Sequence, residues 1–204
     1  MNEATPLLVM LPGAYDTPDD FLAHGFDRAA QAAGFEWRAH PTDLTAIADG
    51  RLVHQLHHEV IAPARARGRQ RILLGGISIG ALTAMTFHDT YPGLIDALVL
   101  IAPYPGNRAI TRTIEAAGGV ARWPATGLAT DEGELRGWRA LKHLARATPP
   151  ALWLGYGAED RFAGGHRLMA DALPEPQVVT TPGGHDWATW RTLWLALLQR
   201  IPPA

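Results

Sequence analysis

Short apolar runs recur along the chain and alternate with longer stretches in which apolar residues are spaced three or four apart. Apolar runs bounded by Gly or Pro predict strands buried on both faces, whereas the wider spacing predicts helices. The runs that predict strands are 7–11, 35–39, 71–74, 97–101, 151–154 and 177–180. Because helical stretches separate these six runs, the sequence predicts an α/β fold with a mostly parallel sheet covered by helices on both faces.

The helical stretches differ in how clearly they are bounded. Residues 21–33 have helical spacing with Gly34 as a stop, and 187–199 predicts the final helix. Residues 49–67 predict a long helix that Pro63 would kink or shorten.

One connection, residues 105–150, is longer than a single crossover helix requires. Residues 131–134 have the pattern of a capping box that starts a helix. The apolar stripe of that helix would be Leu135, Trp138, Leu141 and Leu144. Residues 105–130 are then surplus, and we expect them to form a small cap segment.

Composition narrows the class of protein. A chain of 204 residues with 47% hydrophobic and 19% charged residues predicts one globular domain over 1–204. The net charge of −2 and the lack of a basic run argue against binding to nucleic acid or to anionic membranes. The lack of cysteine excludes disulfides, thiolate catalysis and zinc–cysteine sites.

The beginning of the chain does not have the pattern of a signal peptide. It has no cationic segment before its first apolar run, and that run ends at Pro12. No apolar stretch is long enough to cross a bilayer. We therefore expect a cytoplasmic protein without a membrane span, whose oligomeric state the sequence leaves open.

The segment Gly76-Ile77-Ser78-Ile79-Gly80 lies between a predicted strand and a helix rich in small residues. A serine between two glycines at such a turn is typical of a nucleophile elbow, in which the strained turn exposes the hydroxyl above the sheet. A plain glycine-rich turn is the alternative. The strand and helix on either side favour Ser78 as a catalytic nucleophile.

Two further polar segments follow predicted strands, where open α/β sheets keep their sites. Residues 155–160 end in Glu159 and Asp160, and residues 182–187 contain His185. A serine needs a base, for which His185 is the candidate, and the base needs a carboxylate to orient it. We assign Asp160 to that role with Glu159 as the alternative, because Asp186 is too close in sequence to reach His185 Nδ1.

An oxyanion intermediate requires two backbone N–H donors. One is expected from Ile79, the residue after the nucleophile. The other is expected from the turn after the first strand, where Gly13 allows its neighbour to turn inward. Ala14 is the first choice there and Tyr15 the second, and a plain strand-end turn is the alternative.

Three histidines share one predicted helix. His54, His57 and His58 have the i, i+3, i+4 spacing that could hold a metal. Their helix is amphipathic, so we interpret His54 and His58 as solvent-facing or as part of a helix contact, and we expect no metal there.

With these motifs the chain resembles the α/β-hydrolase superfamily over nearly its whole length. Its six predicted strands lack the first hairpin of the usual eight-stranded sheet. The segment Gly183-Gly184-His185-Asp186-Trp187 resembles small carboxylesterases of the esterase-D-like and acyl-esterase type. The resemblance implies a cofactor-free serine hydrolase with an acyl-enzyme intermediate, and it names no substrate.

The predicted function is hydrolysis of a carboxylic ester or thioester of a small molecule. Acyl transfer with the same triad and a catalytically silent binding module are the alternatives. Haloalkane and epoxide chemistry in its usual form would need an aspartate where Ser78 stands. Aromatic residues near the strand ends predict a small, mostly apolar acyl pocket, although core packing is the alternative for each. They are Tyr15, Tyr104, Trp123, Phe162 and Trp187.

Overall fold

A computed structural model describes residues 5–149 and 151–202. These residues form one sheet of six parallel strands in the order β2-β1-β3-β4-β5-β6. The strands are β1 (Leu7–Leu11), β2 (Glu36–Ala39), β3 (Ile72–Ile77), β4 (Ala97–Ile101), β5 (Leu152–Gly157) and β6 (Val178–Thr181). The predicted parallel α/β sheet is confirmed, and each predicted strand lies within a few residues of an observed one.

Helices cover both faces of this sheet. The first part of the chain contributes α1 (Pro18–Ala23), α2 (Phe26–Ala32), α3 (Leu44–Ala48), α4 (Arg51–Leu56), α5 (Ala62–Ala66) and α6 (Ile79–Thr90). The second part contributes α7 (Arg108–Ala116), α8 (Gly133–Leu144), α9 (Ala163–Ala170) and α10 (Trp187–Leu198). A π-helical turn, His57–Ile61, joins α4 to α5, and a 3₁₀ turn, Glu175–Gln177, precedes β6.

Alternate residues of each central strand point into two separate apolar layers. In β1, Leu7, Val9 and Leu11 pack with the layer that contains α4, α6 and α8. Leu8 and Met10 pack with α1, α2 and α10 on the other face. This two-sided burial explains why the strands are apolar without alternation, as the sequence pattern indicated.

Two predicted helices are built differently from the expectation. The helix predicted over 21–33 is divided in two, because Gly25 adopts a left-handed conformation with φ 74° between α1 and α2. The helix predicted over 49–67 contains the π turn His57–Ile61, and α5 begins directly after it at Ala62, one residue before Pro63. A proline has no N–H and disrupts the regular α-helical ladder, which accounts for the change.

The helix after the surplus segment begins without the predicted capping box. Glu132 is the N-cap of α8, and no side chain caps the helix. Its carboxylate instead accepts a hydrogen bond from the Ala129 backbone N–H. The predicted apolar stripe is present, since Trp138, Leu141 and Leu144 are buried.

Residues 105–130 contain α7 and an irregular segment. The Asn107 side chain caps α7 by accepting hydrogen bonds from the N–H groups of Ala109 and Ile110. Ile114, from α7, and Val120 are buried in the same apolar layer as α8. A cap role for this segment, and the single-domain count, remain predictions.

Every helix within 5–149 and 151–202 is too short or too polar to cross a lipid bilayer. The prediction about the start of the chain also involves residues 1–4, which lie outside the described residues.

Candidate active site

Ser78 lies between the end of β3 and the start of α6 in an unusual backbone conformation. Its φ is 54° and its ψ is −117°. Non-glycine residues avoid positive φ, so the turn is strained. The Ser78 N–H donates to the Ile101 carbonyl at 3.0 Å, and the Ser78 carbonyl accepts from the Tyr104 N–H at 2.9 Å. These bonds tie the strained residue to the end of the neighbouring strand β4.

The two glycines that flank this turn are required by close backbone approach. A Cβ atom added to Gly76 would collide with the backbone of Gly80. A Cβ atom added to Gly80 would collide with the carbonyl oxygens of Leu11 and Pro12. Helix α6 therefore starts in contact with the end of β1, which brings the turn after β1 beside Ser78.

Ser78, His185 and Asp160 form a continuous chain of hydrogen bonds. His185 Nε2 lies 3.0 Å from Ser78 Oγ, and His185 Nδ1 lies 2.7 Å from Asp160 Oδ2. An ionised carboxylate only accepts, so Nδ1 carries the proton and Nε2 is free to accept from the serine hydroxyl. The structure thus brings together the three residues that the sequence singled out, in the order and tautomer that a serine nucleophile requires.

Asp160 is buried at the carboxyl end of β5. Its Oδ1 accepts a hydrogen bond from the Phe162 backbone N–H at 2.8 Å. Burial by itself would raise the pKa of Asp160, but the hydrogen bonds from His185 and from the Phe162 N–H outweigh it and hold the pKa below its usual value. The carboxyl group is therefore ionised at neutral pH and can stabilise a positively charged His185.

The two other carboxylates near His185 have separate structural roles. Glu159 accepts a hydrogen bond from the backbone N–H of Gly183. Asp186 is the N-cap of α10 and accepts from the Thr189 N–H at 2.9 Å. Neither contacts His185 Nδ1 among the hydrogen bonds of the described residues, so the geometry favours Asp160 over the alternative Glu159.

The backbone groups predicted to hold an oxyanion lie on the two segments that meet at the elbow. Ile79 is the first residue of α6, and Ala14 follows Gly13 in the turn after β1. Within the described parts of the chain, no acceptor contacts the N–H of Ile79, Ala14 or Tyr15. These N–H groups are free to donate to a ligand, and their role as an oxyanion hole stays a prediction.

Two predicted pocket residues, Tyr104 and Phe162, lie beside the hydrogen-bonded chain. The Phe162 ring lies 5.2 Å from the ring of His185 and 5.4 Å from that of Tyr104. Burial raises the pKa of Tyr104, and the nearby Glu134 carboxylate raises it further. Together these rings form an aromatic flank on the side of Ser78 where β4 and β5 end.

The other three predicted pocket residues are placed differently. Tyr15 is 94% exposed and extends into solvent, because its turn projects beyond the end of β1. Trp123 is 4% exposed and packs in the hydrophobic core with α8. Trp187 is half-buried, stacks on His24 with the ring centres 4.3 Å apart, and donates its indole N–H to Asp16.

Two residues beside the site were not identified from the sequence. His166 is fully buried on α9 and donates its Nε2–H to the Pro103 carbonyl at 2.8 Å. Burial lowers the pKa of His166, which keeps the ring neutral. Asp16 accepts the Trp187 indole N–H, and its proximity to Gly13 in sequence was the available signal. Both residues depend on contacts between distant segments, which spacing alone does not reveal.

The three helix histidines make local aromatic contacts. His54 Nδ1 lies 2.6 Å from the Tyr91 hydroxyl, and His57 stacks on the Tyr91 ring at 4.2 Å. Burial lowers the pKa of His57, and the nearby His58 and His54 lower it further. Across the described residues, no group of three or more potential metal-ligating side chains is placed to hold an ion. These contacts join α4 and the π turn to Tyr91, the residue that directly follows α6.

Comparison with known proteins identifies the fold. No protein-family model matches the sequence, and no curated protein matches it significantly. In structure, the chain is similar to a ferulic acid esterase with 15% identity and a TM-score of 0.64, over 97% of this chain and 85% of that one. The S-formylglutathione hydrolase FrmB from Staphylococcus aureus gives 15% identity and a TM-score of 0.62, over 96% and 80% of the two chains.

A third similar structure is the fluorophosphonate-binding serine hydrolase FphF from Staphylococcus aureus. It is 16% identical, with a TM-score of 0.65 over 98% of this chain and 84% of that one. All three have the α/β-hydrolase fold, and so does this chain. At these identities the likeness establishes the fold, whereas the chemistry has to be argued from the site.

Proposed function

We propose that this protein is a serine hydrolase that cleaves a carboxylic ester or thioester through an acyl-enzyme intermediate. The observation that carries the proposal is the hydrogen-bonded chain from Ser78 Oγ through His185 to Asp160, at 3.0 and 2.7 Å. The strained turn presents the serine in the way that a nucleophile needs. The similarity in structure to a ferulic acid esterase and to an S-formylglutathione hydrolase supports the same class of reaction.

Acylation would begin with attack of Ser78 Oγ on the carbonyl carbon. His185 Nε2 takes the hydroxyl proton as the new C–O bond forms, and Asp160 stabilises the resulting imidazolium. The carbonyl oxygen gains negative charge, which the free N–H groups of Ile79 and Ala14 would stabilise. His185 then gives its proton to the leaving oxygen or sulfur as that bond breaks.

Deacylation repeats the sequence with water as the nucleophile. His185 Nε2 takes a proton from water, the water oxygen attacks the acyl carbon, and the Ser78 Oγ–acyl bond breaks. The proton returns to Ser78, so the enzyme is regenerated and the acid is released. The whole cycle uses the side chains and backbone groups of this site.

We assign the aromatic flank of Tyr104 and Phe162 as the surface that binds the acyl chain of the substrate. The Phe162 ring lies against His185 and the Tyr104 ring lies against Phe162. Apolar rings favour apolar acyl groups through burial of hydrocarbon surface. Each methylene buried there is worth about 0.8 kcal/mol until the flank is filled. This supports a preference for short to medium uncharged acyl chains.

A fluorophosphonate probe tests the proposal without knowledge of the substrate. Ser78 is the only serine in the sequence, so a serine adduct identifies the nucleophile without ambiguity. We expect the probe to add to the wild-type protein and to the matched control Thr192→Ala, which removes the hydroxyl of a residue on α10. Ser78→Ala should abolish labelling and hydrolysis together.

A substrate panel then defines the reaction. The panel contains p-nitrophenyl esters and acyl-CoA thioesters of increasing acyl length, assayed with and without an added alcohol acceptor. Release of free acid supports hydrolysis, whereas transfer of most of the acyl group to the acceptor would replace hydrolysis by acyl transfer. Probe labelling that survives Ser78→Ala would overturn the proposal, and a folded protein without labelling or turnover would indicate a silent binding module.

A further inference from the structure

Asp16 lies on the opposite flank of Ser78 from the two aromatic rings. Its Oδ1 accepts the Trp187 indole N–H at 3.1 Å, and Trp187 is two residues beyond His185. A Cβ atom added to Gly13 would collide with Asp16 Oδ2 and would lie 3.9 Å from the Ser78 Cβ. One glycine therefore separates the carboxyl group from the nucleophile.

Within residues 5–149 and 151–202, the Asp16 carboxyl group has no cationic partner. Among the described residues it forms no salt bridge, and its only side-chain hydrogen bond is the one to Trp187. The titratable groups that face it are Asp20, His24 and His185. Burial raises the pKa of Asp16, the Trp187 hydrogen bond lowers it, and the nearby Asp20 raises it. A partly buried carboxylate without a cationic partner costs free energy, and a cationic ligand bound beside the reaction centre would offset that cost.

We propose that Asp16 selects substrates whose leaving group carries a positive charge. This inference rests on the proposed function, since it concerns the same reaction. His185 must protonate the leaving atom, so the leaving group lies against the His185 segment, to which Asp16 is tied through Trp187. The acyl chain occupies the Tyr104–Phe162 flank, and an ammonium group on the leaving side meets the Asp16 carboxylate.

The charge of the oxyanion strengthens this argument. A carboxylate beside the turn of Gly13 and Ala14 repels the negative charge that develops on the carbonyl oxygen. A cation in the leaving group attracts both the carboxylate and the developing oxyanion, so its effect is greater in the transition state than in the bound ground state. A neutral leaving group of the same shape lacks that compensation.

Two methylphosphonothiolate probes of equal shape test the inference. One has 2-(trimethylammonio)ethanethiol as its leaving group, and the other has its uncharged isostere 3,3-dimethylbutanethiol. In each, Ser78 Oγ forms a bond to phosphorus, the P–S bond breaks, the thiol leaves, and His185 transfers the hydroxyl proton. The rate of adduct formation is measured by intact mass for both probes, together with an uncharged fluorophosphonate.

We expect the wild-type protein to react about tenfold faster with the cationic probe, the size expected for unit charges roughly 6 Å apart at an effective dielectric constant of about 40, between that of a protein surface and that of bulk water. Asp16→Asn keeps an oxygen for the Trp187 indole N–H and removes the charge, so the ratio of the two rates should fall to about one. Circular dichroism shows that the variant is folded, and the reaction with the neutral probe gives the reference rate within each variant. Asp19→Asn is the matched control, because it removes an exposed charge from α1 and should leave the ratio as in the wild type.

Equal rates of the two probes with the wild-type protein would overturn the inference and leave the proposed function standing. A ratio unchanged in Asp16→Asn would also overturn it, because it would mean that the charge of Asp16 is not the source of the preference. Lack of an adduct with all three probes would overturn the proposed function itself. The two failures are therefore distinguishable in one experiment.

Discussion

Replacing Asp160 by asparagine tests the orienting role of the carboxylate, and the surrounding bonds determine what the amide will do. The Phe162 backbone N–H donates to Oδ1 of Asp160 at 2.8 Å. In Asp160→Asn this N–H holds the amide oxygen, so the amide NH₂ faces His185 Nδ1 at the place of Oδ2. Nδ1 must then accept, the ring proton moves to Nε2, and Nε2 can no longer take the Ser78 proton.

The expected loss follows from that tautomer. In a serine protease whose triad aspartate is changed in this way, kcat falls on the order of 10⁴-fold. At about 1.36 kcal/mol for each tenfold change, this corresponds to roughly 5 kcal/mol of transition-state stabilisation. The assay is kcat with the best p-nitrophenyl ester, together with the rate of fluorophosphonate labelling. Circular dichroism and thermal melting would verify that the variant is folded.

Glu159→Gln is the matched control for this substitution. It changes the neighbouring acid, whose side chain accepts from the Gly183 N–H and does not contact Nδ1. We expect less than a tenfold loss of kcat, because a glutamine oxygen can still accept that bond. An equal or larger loss in Glu159→Gln, or a folded Asp160→Asn with more than a tenth of wild-type kcat, would refute the reasoning.

Three further predictions concern the elbow, the ion pairs and the acyl flank. Gly80→Ala should lower the free energy of unfolding by about 3 kcal/mol, because its Cβ would overlap two carbonyl oxygens, whereas Gly164→Ala, with open space around it, should stabilise the protein in urea titrations. Asp89→Asn should cost about 3 kcal/mol, because it removes a buried carboxylate that pairs with Arg136 and Arg139. Burial would raise the pKa of Asp89, but those two arginines lower it below its usual value of 3.8. The contribution of the ion pairs to stability is therefore complete above pH 3.8 and is lost as the pH falls below that value. A difference in stability between the wild type and Asp89→Asn that persists in acid would contradict this prediction. Phe162→Ala should move the best acyl length of p-nitrophenyl esters upward, and an unchanged or flat length profile would count against an acyl flank there.

The sequence predicted the sheet and the order of its site residues because each left a local signal. Apolar runs marked the strands, and Ser78 lay between two glycines that the close contacts of the elbow require. Asp160 and His185 each followed a strand end, where a parallel sheet gathers its loops. Such signals need only the chemistry of neighbouring residues in the chain.

The details that the sequence did not predict depend on contacts between distant segments. Gly25 was present in the predicted helix 21–33, but only the structure shows that its positive φ divides that helix. A π turn adds a residue to a helical turn, which a three- and four-residue spacing does not reveal. Trp123 was expected near the site, yet its loop folds onto the layer of α8. Asp16 lies beside the active site through its contact with Trp187, which is distant from it in sequence.

The position of β6 at the end of the strand order has a consequence for how activity is lost. β6 pairs only with β5, whereas β3, which leads to Ser78, is flanked by strands on both sides. An edge strand opens at a lower free energy than the centre of a sheet, on a time scale that hydrogen exchange can follow. Because the segment after β6 holds His185, such local opening would separate the base from an intact elbow. Under mild heating or low denaturant, inactivation should therefore precede global unfolding and reverse quickly on return to native conditions.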